Sequence, residues 1–269
     1  MTARSRGAIV AALLGASPVA AEPAKPPPPP GLTLPQGVVG ISLVAEASAS
    51  SGTLGEPISI APDLGFGVTP DLTLSLVHST FGTTGFRGGA GRGLCLTGEG
   101  HGCAHVYDGA GVEALYGLRR GSFSVAANLG AHALSFDAGH HGLKLGFKLR
   151  YSVGRVVVIS MPSVFVAVTE RDSATTPNRD LLWLPTSVAY KLTSELSVAV
   201  AAGLKGPIEG FDEGFEIAVG TSTQYALSNA VTIGGSWAYG KLIGGDATLP
   251  AGTRGHDFRA LQSWVAMSF

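Results

Sequence analysis

From about residue 37 to the end of the chain, apolar side chains alternate with small or polar ones, and this alternation limits the folds that the chain can adopt. From Ile217 to Leu227, Ile, Val, Thr and Tyr take every second position against Ala, Gly, Ser and Gln, and Val231 to Gly240 repeats the pattern. A period of two is that of a β-strand, in which successive side chains point to opposite faces. The sequence therefore predicts hairpins with one apolar face and one face of small residues.

One hairpin pattern recurs: an aromatic residue, a Leu or Val two positions later, a three-residue turn, and then two apolar residues around one that is usually Ser or Thr. Copies begin at Phe66, Tyr151, Tyr190 and Tyr225, and a copy with a longer turn begins at Tyr116. The pattern places a ring at the same height on each hairpin. Such a row of rings is typical of a membrane interface, where an apolar ring meets water at its edge.

Composition excludes several other classes of protein. Charged residues make up 14% of the chain, 18 basic against 19 acidic residues, while 45% of the residues are apolar. So few charges and so many apolar residues exclude disorder, and a net charge of -1 does not favour nucleic acid as a partner. A soluble β-sandwich remains an alternative, but it would expose many charges on its outer face, whereas here that face carries mainly Gly, Ala, Ser and Thr. We therefore favour a barrel in a membrane.

The first residues are typical of a secretory signal peptide at residues 1–21. Arg4 and Arg6 precede a short apolar run, and Val19 and Ala21 form a small-residue cleavage site. The run is too short for an anchoring helix, the alternative, which needs about 20 residues. Residues 22–36 contain five consecutive prolines and are predicted to be a Pro-rich periplasmic linker.

Residues 37–269 are predicted to form a single antiparallel, up-and-down transmembrane β-barrel, an all-β fold of about twelve strands. The connections are alternately short and long, which is typical of outer-membrane barrels. In lipid such a sheet must close, because unpaired edge groups cost several kcal/mol each. The predicted strands are 37–47, 57–68, 71–80, 105–117, 121–136, 142–152, 156–168, 180–192, 195–205, 215–227, 230–241 and 257–269.

The C-terminal residues resemble the terminal strand signal of Gram-negative outer-membrane β-barrels. Val265, Met267 and the final Phe269 share one face of the last predicted strand. The resemblance implies that the assembly machinery of the outer membrane recognises these residues. The repeated hairpins, with Pro162 and Pro185 inside neighbouring strands, also resemble small porin-like barrels proposed to pass aromatic compounds. The two prolines are expected to mark a local bulge.

The alternation assigns ten charged or polar residues to the lumen: Glu46, Asp63, Glu113, Asn128, His132, Lys144, Lys148, Arg150, Lys191 and Glu216. Two interpretations of the basic ones stay open. Lys144, Lys148 and Arg150 form a stripe that could attract anionic solutes, or the bases form structural ion pairs with Glu113 and Glu216. Strands seven and eight are predicted to turn an apolar set inward, either to pack against a loop or the N-terminal segment or to contact hydrophobic solutes. This set is Val158, Val164, Val166 and Trp183.

The loop 81–104 contains the two cysteines of the chain, Cys95 and Cys103. An exported protein meets an oxidising environment, so we expect a disulfide between them. The alternative is a metal site with His101 and His105, but the spacing matches no common zinc module, and we predict no metal. The same loop carries Arg87 and Arg92 among glycines, as a possible constriction of the lumen or as a plain surface loop.

Some twelve-stranded outer-membrane barrels are lipid hydrolases, and the candidate residues for such chemistry here are His78, His132 with Ser135, and the pair at 140–141. The predicted register places His132 inward and Ser135 outward, so we predict no catalytic residues, no enzyme and no cofactor.

The predicted function is a porin-like channel for passive diffusion of small solutes. The alternatives are a structural or adhesive barrel with a blocked lumen, or an outer-membrane lipid-modifying enzyme. The expected partners are outer-membrane lipid and lipopolysaccharide, the assembly machinery and small solutes, with no nucleic acid. The protein is expected in the outer membrane, with its N-terminus and short turns periplasmic and its long loops extracellular.

Overall fold

A computed structural model describes residues 31–50, 52–81, 84, 87–88, 94–103, 105–107, 109–174, 177–249 and 254–269. The predicted signal peptide and the first part of the predicted linker lie outside these residues. Within them the chain forms one large antiparallel sheet whose first and last strands pair with each other.

The barrel has twelve strands, as the sequence predicted, and consecutive strands are neighbours all the way round. We number them β1 (Val39–Ser48), β2 (Ile58–Thr69), β3 (Leu72–Val77), β4 (Ala110–Arg119), β5 (Phe123–Ser135), β6 (His140–Val153), β7 (Val156–Ser160 with Ser163–Ala167), β8 (Leu181–Lys191), β9 (Leu196–Pro207), β10 (Glu216–Ala226), β11 (Val231–Gly244) and β12 (Arg259–Ser268).

Pairing between β1 and β12 closes the barrel. Gly40 is opposite Ser268, and the ladder continues to Ser48 opposite Ala260. One residue further along this pair, the N–H of Phe269 donates to the carbonyl of Val39 at 2.9 Å, and the N–H of Val39 donates to the carbonyl of Phe269 at 3.0 Å. The last residue thus pairs with the backbone N–H and carbonyl groups of the first residue of β1, and no unpaired edge is left between β1 and β12.

β7 is interrupted at Met161 and Pro162, as the strand prolines indicated. Both of its segments pair with β6 and β8. The carbonyl of Pro162 accepts from the N–H of Phe147 at 2.9 Å, so the break keeps a hydrogen bond to β6. Pro185, in contrast, stays within β8 opposite Gly203. Proline removes a ladder donor, and the chain accommodates one of the two by breaking a strand.

The prediction that Val158, Val164 and Val166 face inward is wrong. Val158 pairs with Tyr151, Val164 with Leu145 and Val166 with Leu143, all on the apolar outer face of β6. Their neighbours face the lumen instead. The first segment of β7 is apolar on both faces, so alternation gave no signal for its register, which the ladder to β6 fixes. Trp183 does face inward, opposite Ser163.

The outer face of the barrel is apolar, and its aromatic residues lie close to the short turns. Each of the five rings of the recurring hairpins sits within the last four residues of its strand and is 43–52% exposed. They are Phe66, Tyr116, Tyr151, Tyr190 and Tyr225. This arrangement is that of an interfacial aromatic girdle.

Helices are few among the described residues: one α-helical turn at Phe211–Gly214 and two 3-10 turns at Glu99–His101 and Gly255–Asp257. No helix of this part of the chain is long and apolar enough to cross a membrane.

Candidate functional site

The inner wall of the barrel consists mainly of small side chains, and its large rings lie flat against neighbouring glycines. A Cβ atom added to Gly111 would lie 2.1 Å from His132 Nδ1, and one added to Gly234 would lie 2.2 Å from Trp264 Cζ2. Gly142 leaves the same room for a third ring, that of Phe165 in β7. The glycines therefore leave room for these rings beside the wall, and Phe165 is 1% exposed.

A buried polar cluster on the wall of β4 to β6 is centred on Glu113. Its Oε1 lies 2.8 Å from Lys144 Nζ, and its Oε2 accepts from Asn128 Nδ2 at 3.0 Å. The side chains of Glu113 and Lys144 are 7% and 5% exposed. His132 Nε2 lies 3.2 Å from the same carboxylate, close enough for an ion pair when the imidazole is protonated. Four of the residues that the sequence assigned to the lumen thus meet in one contact network.

A second charged cluster lies on the wall of β8 to β11. Lys205 Nζ is 3.6 Å from Glu216 Oε1 and 5.3 Å from the centre of the Trp183 ring, a cation–π contact. Lys241 Nζ approaches Glu216 Oε2 at 3.9 Å from a bulge in β11. The two clusters favour the structural interpretation of the acidic residues: Glu113 and Glu216 each neutralise a lysine of the wall.

Hydrogen bonds also hold the acidic residue of β1. Gln262 Nε2 donates to Glu46 Oε2 at 2.5 Å, and Ser236 Oγ donates to Gln262 Oε1 at 2.8 Å. These three residues occupy one ladder row across β1, β12 and β11. The row is polar but carries a single charge.

The remaining bases of the predicted stripe lie near the short turns. Lys148 is opposite Ala126 on an inward position of β6. Arg150 Nη2 donates to Ser124 Oγ at 3.2 Å. Lys191 takes an inward position at the last residue of β8, where it is exposed.

Asp63 fixes the point where the long connection after β3 leaves the wall. Its carboxylate accepts from the N–H groups of His78 and Ser79 at 2.8 and 2.9 Å, and from Ser79 Oγ at 2.5 Å. Thr80–Phe81 then pairs with Arg87–Gly88, and Cα atoms of Arg87–Gly88 come within 8 Å of β1. The sheet neighbours of β1 are β2 and β12, so this hairpin lies against a face of β1 and not along its edge. Arg92 lies outside the described residues.

Further along the same connection, the chain returns to the wall and contains the expected disulfide. Leu94–Cys95 pairs with Ser59 and Ile60 of β2, above the point where β3 ends. Cys95 and Cys103 are bonded to each other, and both thiols are thereby removed from the alternative metal site. His101 Nδ1 instead lies 3.1 Å from a carboxylate oxygen of Glu56. The described residues contain no cluster of metal-binding side chains.

The rim of the long connections contains a polar cleft of about 550 Å³ between the loops after β7 and after β9. Arg171 donates to both carboxylate oxygens of Asp180, at 2.8 and 3.0 Å. These bonds, with one from the N–H of Ala167, hold the pKa of Asp180 below its usual range. Asn178 Nδ2 ties the loop to the carbonyls of His141 and Thr169 at 2.9 Å each.

The candidate catalytic residues have other partners. His78 Nδ1 lies 2.5 Å from the carbonyl of Pro62, and His132 lies beside Glu113. Ser135 Oγ accepts from the N–H of Ala138 at 3.2 Å, as a cap of the turn after β5. The contacts described for His78 and His132 include no serine.

Sequence reasoning missed several residues of the inner wall, among them Lys205, Gln262 and Trp264. Lys205 ends a predicted strand opposite Glu216, and a hairpin alignment of the two strands could have found the pair. Gln262 and Trp264 lie on the inward face of β12. The sequence interpretation of that strand used only its apolar outward face, which carries the C-terminal signal, and so did not assign these two residues.

Known proteins share the fold but not the sequence. No protein-family model matches the chain, and no curated protein matches its sequence. The NanC porin superposes with a TM-score of 0.59 at 11% identity, over 84% of this chain and 98% of the porin. An outer membrane channel from Pseudomonas putida F1 gives a TM-score of 0.54 at 11% identity, over 88% of this chain and 97% of the channel. Outer membrane phospholipase A from Escherichia coli gives 0.46 at 10% identity, over 89% and 92%.

Identities this low establish a common fold alone, and a TM-score of 0.46 carries no argument about catalysis. The two better superpositions cover nearly the whole of the solved chains. Together with the closed twelve-stranded sheet, its apolar outer face and its polar lumen, they show that the chain has the β-barrel fold of outer-membrane porins and channels.

Proposed function

We propose that the protein is a channel of the outer membrane through which small solutes diffuse passively. The observation that carries the proposal is the arrangement of the inner wall, where large rings lie flat over glycines. A barrel whose interior only had to be filled would be expected to point large side chains toward its axis, as small barrels do. Here Gly111, Gly142 and Gly234 allow rings to follow the wall instead.

The proposed orientation places the N-terminus and the short turns in the periplasm and the long loops outside the cell. Short periplasmic turns and longer extracellular loops are the rule for this fold. The partners we propose are outer-membrane lipid with lipopolysaccharide and the assembly machinery, which would recognise the outward Val265, Met267 and the terminal Phe269.

The charges of the lumen suggest weak selectivity. Six bases (Lys144, Lys148, Arg150, Lys191, Lys205 and Lys241) and four acids (Glu46, Asp63, Glu113 and Glu216) lie on the inner wall. The closest pairs neutralise one another locally, so the net field along the lumen is small and favours anions slightly. If Arg87 and Arg92 also line the lumen, the preference for anions increases.

Single-channel recording tests the proposed function. The purified, folded mature chain is expected to give discrete conductance steps in planar bilayers. In a salt gradient, its reversal potential is expected to shift slightly toward the equilibrium potential of the anion. Heat-unfolded protein at the same concentration is the control. Complete absence of steps from protein whose insertion is verified by protease protection would refute the channel.

A structural or adhesive barrel with a blocked lumen is the second candidate. The observation that favours it is the hairpin after β3, which Asp63 holds at the wall and which lies against a face of β1. An Asp63→Asn variant removes the charge that accepts these hydrogen bonds. Conductance that appears in this variant alone would support a blocked native lumen. The proposal includes no catalysis, and phospholipid turnover by the purified barrel would contradict it.

A further inference from the structure

The described residues just before β1 lie inside the barrel. Residues 31–36, which we call the strap, contact the inner wall near the short turns. The N–H of Leu34 donates to Thr73 Oγ1 at 2.7 Å, and Thr33 Oγ1 donates to the carbonyl of Pro70 at 2.9 Å. Thr73 is 5% exposed and faces the lumen on β3.

A row of inward glycines makes room for the strap. Gly40, Gly65 and Gly67 lie on the same face as the Glu113–Lys144 pair, because the ladder rows connect them from strand to strand. A Cβ atom on Gly40 or on Gly65 would lie 3.1 Å from the side chain of Leu34, and one on Gly67 would lie 1.9 Å from the carbonyl oxygen of Pro35. The strap occupies the space that three side chains would otherwise fill.

The strap extends along the rim as far as β6. Arg150 Nη1 donates to the carbonyl of Gly31 at 3.3 Å. Between these ends the strap passes Gly117 of β4, whose Cβ position is 3.7 Å from Thr33. Arg120 also approaches Gly31 and is itself held by Asp71, with Nη2 2.6 Å from Oδ1. The strap therefore follows the inner side of the wall from β6 to β1.

The contacts hold the strap with a modest free energy. A few hydrogen bonds attract it to the wall, while ordering its six residues costs conformational entropy. Because the ordering cost offsets the attraction, we expect one steric conflict on the glycine row to displace the strap. The three nearest neighbours of the Gly67 Cβ position are all backbone atoms of the strap, so a side chain there meets the strap first.

We propose that the strap is a docked constriction that sets the width of the channel at the short-turn mouth. This inference rests on the proposed channel function and deepens it. Solutes that enter or leave at this mouth would pass between the strap and the opposite wall of β8 to β12, so the size limit of the channel would depend on the chain's own N-terminal residues.

Two variants of the full mature chain test the constriction. Gly67→Val displaces the strap by contact, and deletion of residues 31–36 removes it. Both are expected to raise the single-channel conductance above that of the native chain, by the same factor. The matched control is Gly240→Val, at a strand glycine whose Cβ position has no atom within 4 Å, and it is expected not to raise the conductance. Heat-modifiable migration on gels verifies that each variant is folded.

A second measurement does not depend on conductance. The thiol of a Leu34→Cys variant, in folded detergent-solubilised protein, is reacted with a bulky membrane-impermeant maleimide. The structure predicts slow labelling, and much faster labelling when Gly67→Val is added. Fast labelling in the native background would overturn the docked strap. Slow labelling with unchanged conductance in both variants would overturn its role as a constriction. If the native chain gave no conductance while the variants conducted, the result would support the strap but refute an open native channel. If neither the native chain nor the variants conducted, the result would refute both the channel and the strap as its limiting element.

Discussion

Replacement of Glu113 with alanine is expected to lower the free energy of unfolding by about 3–5 kcal/mol. The substitution leaves Lys144, which is 5% exposed, without the carboxylate that lies 2.8 Å from its ammonium group. It also removes the acceptor of Asn128 Nδ2. A buried charge that loses its partner keeps its desolvation cost and loses the attraction that offset it. Denaturant titration of the folded barrel in detergent micelles, followed by tryptophan fluorescence, measures the change.

The double variant Glu113→Ala with Lys144→Met is the control for this prediction. When both members of a buried pair are replaced, the cost is often small, because no uncompensated charge remains. We therefore expect the second substitution to recover most of the lost stability. A loss below about 1 kcal/mol in the single variant would mean that lumen water solvates Lys144 and that the pair behaves like a surface ion pair.

The sequence predicted the strands well where one face is apolar and the other is not. In β6, Leu143, Leu145 and Phe147 alternate with lysines and glycines, so one register alone keeps charge out of lipid. In the first segment of β7 both faces are apolar, and every register buries them equally well. The pairing of Val158 with Tyr151 follows from the ladder to β6, which is information about another strand and not about the segment itself.

The candidate site could be predicted only in part, for the same physical reason. Alternation shows which side of a strand a residue takes, so Glu113 and Lys144 were assigned to the lumen from the sequence. It does not show which partners meet across strands that are distant in the chain. The glycines at 40, 65 and 67 fitted a small-residue face, but the backbone of Pro35 fills the space beside Gly67. Residues 31–36 have no periodic pattern from which that contact could be predicted.

An arginine in place of Leu145 is expected to cost about 2–4 kcal/mol of stability in phospholipid vesicles. Leu145 lies within β6 between Leu129 and Val164, on the outer face, and is 46% exposed on the isolated chain. A charge there would have to leave water for the hydrocarbon near the middle of the bilayer. Lys144, one residue earlier, carries its charge on the same strand at no such cost because it faces the lumen. Denaturant unfolding in vesicles measures the difference from the native chain.

Val153→Arg is the matched control, because Val153 ends the same strand on the same outer face and is 54% exposed. Near the interface the long side chain reaches water, so the expected cost falls to about 0–1 kcal/mol. In a water-soluble barrel both positions would be surface sites, and both substitutions would be nearly neutral. The difference between the two variants therefore measures the depth of the outer face in the bilayer, and equal, small costs would show that lipid does not surround this wall.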